Sequence, residues 1–195
     1  MKGDNQVNLR ARIIKLVFTG IMMCLIIVAT MFIRVPIPFT QGYVHLGDAM
    51  IFLSVLVLGW RYGAVAAGIG SALGDILGGY AVWAPWTLCI KAGMALLLGL
   101  FLANALKKER SPRFFLLAEF IGMTLAGLWM CAGYYVAEAV IYGNWATPAL
   151  AVPWNVGQFV VGMAIAISLA AALYKTSAAK HFTYRLDSAL KDTRL

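Results

Sequence analysis

The sequence predicts an all-α integral membrane protein with six transmembrane helices in one bundle and both termini cytoplasmic. Three observations predict it. Of the 195 residues, 62% are hydrophobic and 12% charged, against ~45–50% and ~25% in ordinary soluble domains. The apolar residues gather into runs close to the ~20 residues that a helix needs to cross a bilayer. Lys and Arg collect in the connections that fall on one side, the bias that sets orientation.

The first run, 12–33, follows a basic flank containing Arg10 and Arg12. It is longer than a signal-peptide core and no Ala-x-Ala exit follows, so it reads as a retained helix. The second, 47–60, is short for a full crossing, and the third, 63–82, carries Gly70, Gly74 and Gly78 at every fourth position. Such a ridge of small residues lets helix backbones approach closely. An aromatic turn with Tyr80, Trp83, Pro85 and Trp86 leads into the fourth, 86–106. The fifth, 113–142, is long enough to tilt, and the sixth spans 153–174. The prolines fall between these runs or at their starts, where a missing amide does least harm. With the N-terminus inside, the basic flanks are cytoplasmic, Arg34 lies near the outer face and Lys91 lies within a helix. An even number of crossings then places both basic termini on one side. The expected organisation is a cytoplasmic N-terminal segment, 1–11, a six-helix transmembrane domain, 12–176, and a cytoplasmic tail, 177–195.

The net charge of +8 does not point to nucleic acid, because the basic residues sit in short flanks between apolar runs and form no soluble face. Cys24, Cys89 and Cys131 are far apart, each inside an apolar run, and read as small buried hydrophobes. His45 and Asp48 supply two metal-type ligands and no third, so no metal site is predicted. No GxxxxGK[ST], HExxH or GxSxG motif occurs, so the chain has no recognisable ATPase, metalloprotease or hydrolase signature. No internal repeat supports an inverted-repeat transporter acting alone.

Most of the polar residues in apolar surroundings converge on one depth. Gln41, His45 and Asp48 fall on the first outer loop or the start of the second span; Asp75 and Lys91 lie toward the outer ends of the third and fourth; Glu138, Asn155 and Gln158 are at the outer ends of the fifth and sixth. Only Glu119 stands apart, toward the inside. Intramembrane ionisable groups are expensive and mark function or pairing, so the pattern predicts a pocket open outward and closed below. Asp75 and Lys91 flank a turn joining antiparallel helices and are expected to meet, either as a charged wall of that pocket or as an ion pair locking two helices. Asp48 suits either a pocket or the helix N-terminus, where an acid is favoured. Trp83 and Trp86 fit an interfacial belt or aromatic walls stacking on a flat ligand. Gly20, Cys24 and Val28 form a narrow face on the first span, suited to internal packing or to a membrane partner.

The segments YVHLGDAMIFLSVLVLG, GAVAAGIGSALGDILGGY and WAPWTLCIKAGMALLLG occur in order. Together they resemble the substrate-binding S component of energy-coupling factor (ECF) vitamin transporters, of the riboflavin-type group that includes hydroxymethylpyrimidine and pyridoxine binders. The resemblance covers roughly residues 10–175. It implies a six-helix protein in a prokaryotic cell membrane that captures a vitamin outside. Such a protein docks on a transmembrane T component with two ATPase subunits and topples to release its cargo inside. ATP and Mg would belong to those partners, with no cofactor in this chain. Family ligand contacts map onto regions holding Gln41, His45, Trp86, Lys91, Glu138, Asn155 and Gln158, and the T-component face onto Gly20 and Cys24, in place of the usual Ala-xxx-Ala. A pocket with both charge signs, amides and aromatic rings suits a hydroxymethylpyrimidine- or pyridoxine-like heterocycle, with riboflavin, pantothenate and other vitamins open. A scaffold or assembly subunit without a ligand is the alternative.

Overall fold

The computed structural model describes residues 2–38, 42–108 and 111–184. It contains five long helices: α1 (Lys2–Phe32), α2 (Gly47–Leu77), α3 (Ala84–Lys108), α4 (Pro112–Tyr142) and α5 (Val152–Tyr174). All five contain stretches long and apolar enough to cross a membrane, that of α1 running from Arg12 to Phe32. The exposed faces carry large apolar side chains such as Leu16, Val28, Leu77, Leu128 and Val140. Contiguous apolar surface of this kind is a liability in water and the required outer surface in lipid.

The spans expected at 47–60 and 63–82 are the two arms of one long element, α2. That element is nonetheless broken: Gly59 adopts φ 79° and ψ 177°. This backbone region is essentially reserved for glycine. The chain folds back at this point, since a Cβ added to Gly63 would lie 3.0 Å from Val55 Cα. Eight residues of unbroken helix would separate those positions by ~12 Å of rise. Arg61 interrupts the apolar run beside the break, which is why the sequence pattern shows two short runs without showing how they join.

α2 is the central element, in contact with α1, α3 and α5. The glycine ridge explains how: Cβ atoms on Gly70 and Gly74 would lie 3.3 Å from Met23 and 3.2 Å from Thr30, so α1 packs backbone to backbone against this face. Lipid tails offer no hydrophobic gain for helix association, so close van der Waals approach carries the packing. Sequential helices α3, α4 and α5 then pack side by side, with Trp129 Nε1 of α4 donating to the Ile90 carbonyl of α3 at 3.1 Å. α4 begins at Pro112 with the Ser111 hydroxyl accepting from Phe114 N, and ends at Gly143 in the left-handed conformation, the usual terminators of a helix.

Two further features escaped the sequence reading. Between α1 and α2, β1 (Arg34–Pro36) and β2 (Tyr43–His45) pair antiparallel with Arg34 opposite His45. At the other end, a 3-10 turn at Ser177–His181 leads residues 182–184 back across the break in α2. Thr183 N donates to the carbonyls of Leu56 and Val57 at 3.0 Å, Tyr184 N to Leu56 at 3.1 Å, and the Tyr184 hydroxyl to the Gly99 carbonyl at 2.8 Å. Breaking a helix strands backbone carbonyls, and this strap satisfies them.

Candidate functional site

Four helix ends and the strand pair enclose a cavity. β2 contributes Tyr43 and His45, the last turn of α2 contributes Asp75, and the approach to and first turn of α3 contribute Trp83 and Thr87. Tyr134 and Glu138 come from the end of α4, and Asn155 and Gln158 from the start of α5. The space reachable by the centre of a water is ≈ 30 Å³, room for about two waters. Trp83 is buried and stands edge-on to Tyr142, ring centroids 6.4 Å apart, which makes it a cavity wall.

The expected pairing of Lys91 with Asp75 is corrected. Lys91 Nζ bonds Asp48 Oδ1, and both side chains are fully buried. Helix register explains the difference. Gly68 packs against Leu88 and Ala92, so Lys91 lies level with the residues following Gly68, and Asp75 sits more than one turn nearer the outer end, a turn being ~5.4 Å. The start of α2 fills the gap: a Cβ on Gly162 of α5 would touch Asp48 Cβ at 2.9 Å, so Asp48 is held between α5 and α3. Asp48 therefore does not cap its helix; the cap position is Leu46, with no side-chain hydrogen bond.

A continuous hydrogen-bonded chain rises from this ion pair to the cavity wall. Gln158 Nε2 donates to Asp48 Oδ2 at 2.9 Å, and Gln158 Oε1 accepts from His45 N at 2.9 Å. Gly47 N donates to His45 Nδ1 at 2.9 Å. With Nδ1 accepting, the neutral ring carries its proton on Nε2. Burial, then the positive charge of Lys91, lowers the His45 pKa to about 3 against a smaller opposing effect of Asp48, so the imidazole is neutral at physiological pH. Lys91 is also within reach of Met130 Sδ at 3.0 Å and lies 5.3 Å from the Tyr134 ring centre. It forms the floor beneath the cavity and does not line it.

Asp75 is engaged from above by Tyr43, whose hydroxyl donates to Oδ1 at 2.5 Å. Burial, followed by the Asp75 charge and this bond, raises the Tyr43 phenol well above its ordinary range. Arg34 stacks over the Tyr43 ring at 5.2 Å and donates to the Gly78 carbonyl at 3.1 Å, tying β1 to the end of α2.

Of the residues singled out from sequence, His45, Asp75, Trp83, Glu138, Asn155 and Gln158 line the cavity. Asp48 and Lys91 lie below it, Trp86 is half-buried against the core, and Gln41 falls outside the described residues. Tyr43, Thr87 and Tyr134 also line it and were not singled out as site residues. A signal existed: Thr87 with Lys91, and Tyr134 with Glu138, are i, i+4 pairs that put polar groups on one face. Gly20, Cys24 and Val28 lie exposed on α1, with nothing within 4 Å of a Cβ placed on Gly20.

Comparison with known proteins adds four findings. The family described as ECF-type riboflavin transporter, S component, matches residues 10–175. A Pyrococcus woesei protein described only as an uncharacterized protein in a gap 3' region is 38% identical over 116 residues, 60% of this chain and 72% of that one. The thiamine precursor transporter HmpT of Lactococcus lactis subsp. cremoris is 28% identical over 143 residues, 72% of this chain and 76% of that one. Among solved structures, one described as the S component of a bacterial ECF transporter superposes with a TM-score of 0.64 at 18% identity, over 84% of this chain and 97% of that one. At that identity the likeness is one of fold.

Proposed function

This chain belongs to the ECF-type riboflavin transporter S component family, and on that premise we propose that it captures a small water-soluble vitamin or precursor outside the cell. As an S component it is a substrate-binding transport subunit, a multi-pass membrane protein that works with other ECF transporter components. The observation that carries the ligand-binding reading is the cavity itself, which joins two carboxylates, two amides and a set of aromatic rings at one end of the bundle. Such a lining matches a flat polar heterocycle. A hydroxymethylpyrimidine- or pyridoxine-like ligand leads; a thiamine precursor is the cargo named for the Lactococcus relative. The bonds from Tyr43 to Asp75 and from His45 N to Gln158 tie the β1–β2 wall to the helices around this cavity.

In this reading the two arms of α2 are separate crossings, which gives six and puts both termini on the cytoplasmic face of a prokaryotic cell membrane. The exposed strip at Gly20, Cys24 and Val28 docks on the T component, and the loaded subunit topples there to release its cargo. Two partner ATPase subunits bind and hydrolyse ATP with Mg. Residues 177–184 belong to the cytoplasmic tail.

The test is equilibrium titration of the purified protein with a panel of vitamins and precursors, read by tryptophan fluorescence through Trp83 and by thermal unfolding. Saturable binding of one compound is expected, with about 2.7 kcal/mol of stabilisation at a hundredfold excess over Kd. No saturable binding and no thermal shift across the panel would refute it and leave a ligand-free scaffold as the account.

A further inference from the structure

Two carboxylate oxygens of residues lining the cavity, Asp75 Oδ2 and Glu138 Oε2, have no hydrogen-bond partner among the described residues. Their residues are 3% and 2% exposed, so only a molecule inside the cavity can supply the missing donors. A buried acceptor left without a donor is costly and rare in native structures. Most neighbouring donors serve other acceptors. Thr87 Oγ1 and Tyr134 Oη share a 3.1 Å hydrogen bond that either hydroxyl can donate, and no bond reaches Asp75 Oδ2. Tyr43 serves the other Asp75 oxygen, and the Gln158 amide nitrogen and Lys91 both serve Asp48. Arg34, on the rim, donates through Nε to the Thr30 carbonyl and through Nη1 to the Gly78 carbonyl, and its Nη2 has no partner among the described residues.

The balance of charge points the same way. Lys91 is neutralised by Asp48 beneath the cavity, and among the described residues the lining holds two acids and no lysine or arginine. An anionic ligand would face these acids; an N–H donor or a cation would complete them.

We propose that Asp75 and Glu138 select the ligand by demanding hydrogen-bond donors, so that the site takes an amino-substituted or cationic nitrogen heterocycle and rejects its oxo or carboxylate counterpart. The proposal rests on the ligand-binding reading above and adds a rule for which ligands qualify. A site built around buried hydrogen-bonding groups discriminates strongly against an analogue that leaves them unpaired, because the wrong ligand forfeits the bond and buries the orphan more deeply.

The experiment compares 4-amino-2-methylpyrimidine with its 4-oxo counterpart, and adds pantothenate as an acidic vitamin, by calorimetry on the purified full chain. The amino compound is expected to bind at least about 100-fold tighter than the oxo compound, with pantothenate weaker still. Glu138→Gln, which keeps shape and removes the charge, is expected to weaken the amino compound about tenfold or more and to narrow the gap between the pair. Thermal unfolding of the variant confirms that it is folded, and the wild-type comparison stands without it. Equal or tighter binding of the oxo compound or pantothenate overturns the donor rule while leaving the vitamin-binding reading intact. A gap unchanged in Glu138→Gln removes Glu138 from the rule, and absence of binding by all three together with the wider vitamin panel overturns both.

Discussion

Lys91 of α3 is bonded to Asp48 at the start of α2, and Asp75, the acid nearer to it along the chain, is bonded to Tyr43. The charges are thus divided between two depths. The deeper pair closes the bundle, and the shallower acid remains beside the space a ligand enters.

That division predicts distinct consequences for the deeper pair. Lys91→Ala leaves Asp48 buried without a counter-ion and is expected to destabilise the protein by about 3–5 kcal/mol. Asp48→Asn combined with Lys91→Met removes both charges and is expected to recover most of that loss, with ligand affinity close to wild type. Thermal unfolding of the single and double variants in one detergent checks the coupling. Equal destabilisation in both variants would show that the ion pair is not what the substitution disturbs.

His45 gives a pH signature. Its folded pKa of about 3 lies below the ordinary 6.5, so the unfolded chain takes up a proton first as pH falls. The stability due to a neutral His45 is therefore complete above about pH 6.5 and declines progressively toward pH 3. His45→Gln is expected to flatten this part of the stability profile, measured by unfolding at stepped pH. An identical slope in wild type and variant would assign the acid sensitivity elsewhere.

At the opposite end, Gly59→Ala forces a side chain into φ 79°, ψ 177° and places a Cβ 3.1 Å from Thr183 Cγ2. A loss of about 1–3 kcal/mol is expected, with vitamin affinity unchanged because the cavity is remote from the break. Unfolding and titration on the same sample separate the two effects. A variant as stable as wild type would mean that the fold-back tolerates an ordinary residue.

What the sequence made legible follows from the solvent. A bilayer demands long apolar runs with satisfied backbones, so the third to fifth helices were readable nearly to their ends, helped by Pro112 and Pro153. The convergence of polar residues was readable for the same reason: each costly group had to lie near an end of its helix, and one end gathered them. Relative sliding of helices was not readable. It depends on which small residue meets which neighbour, as Gly68 meets Leu88 and Ala92, and it decided that Lys91 meets Asp48. The strand pair and the strap escaped because three-residue segments carry too little periodicity to register.

The strap has a consequence for how the protein is made. Thr183 is joined to Val57 across 126 positions of sequence, so the carbonyls stranded by the break must wait on water until that length of chain has followed them out of the ribosome. All five long helices precede the strap in the chain, so the end of the bundle at the Gly59 break is the last part of the described structure to be sealed.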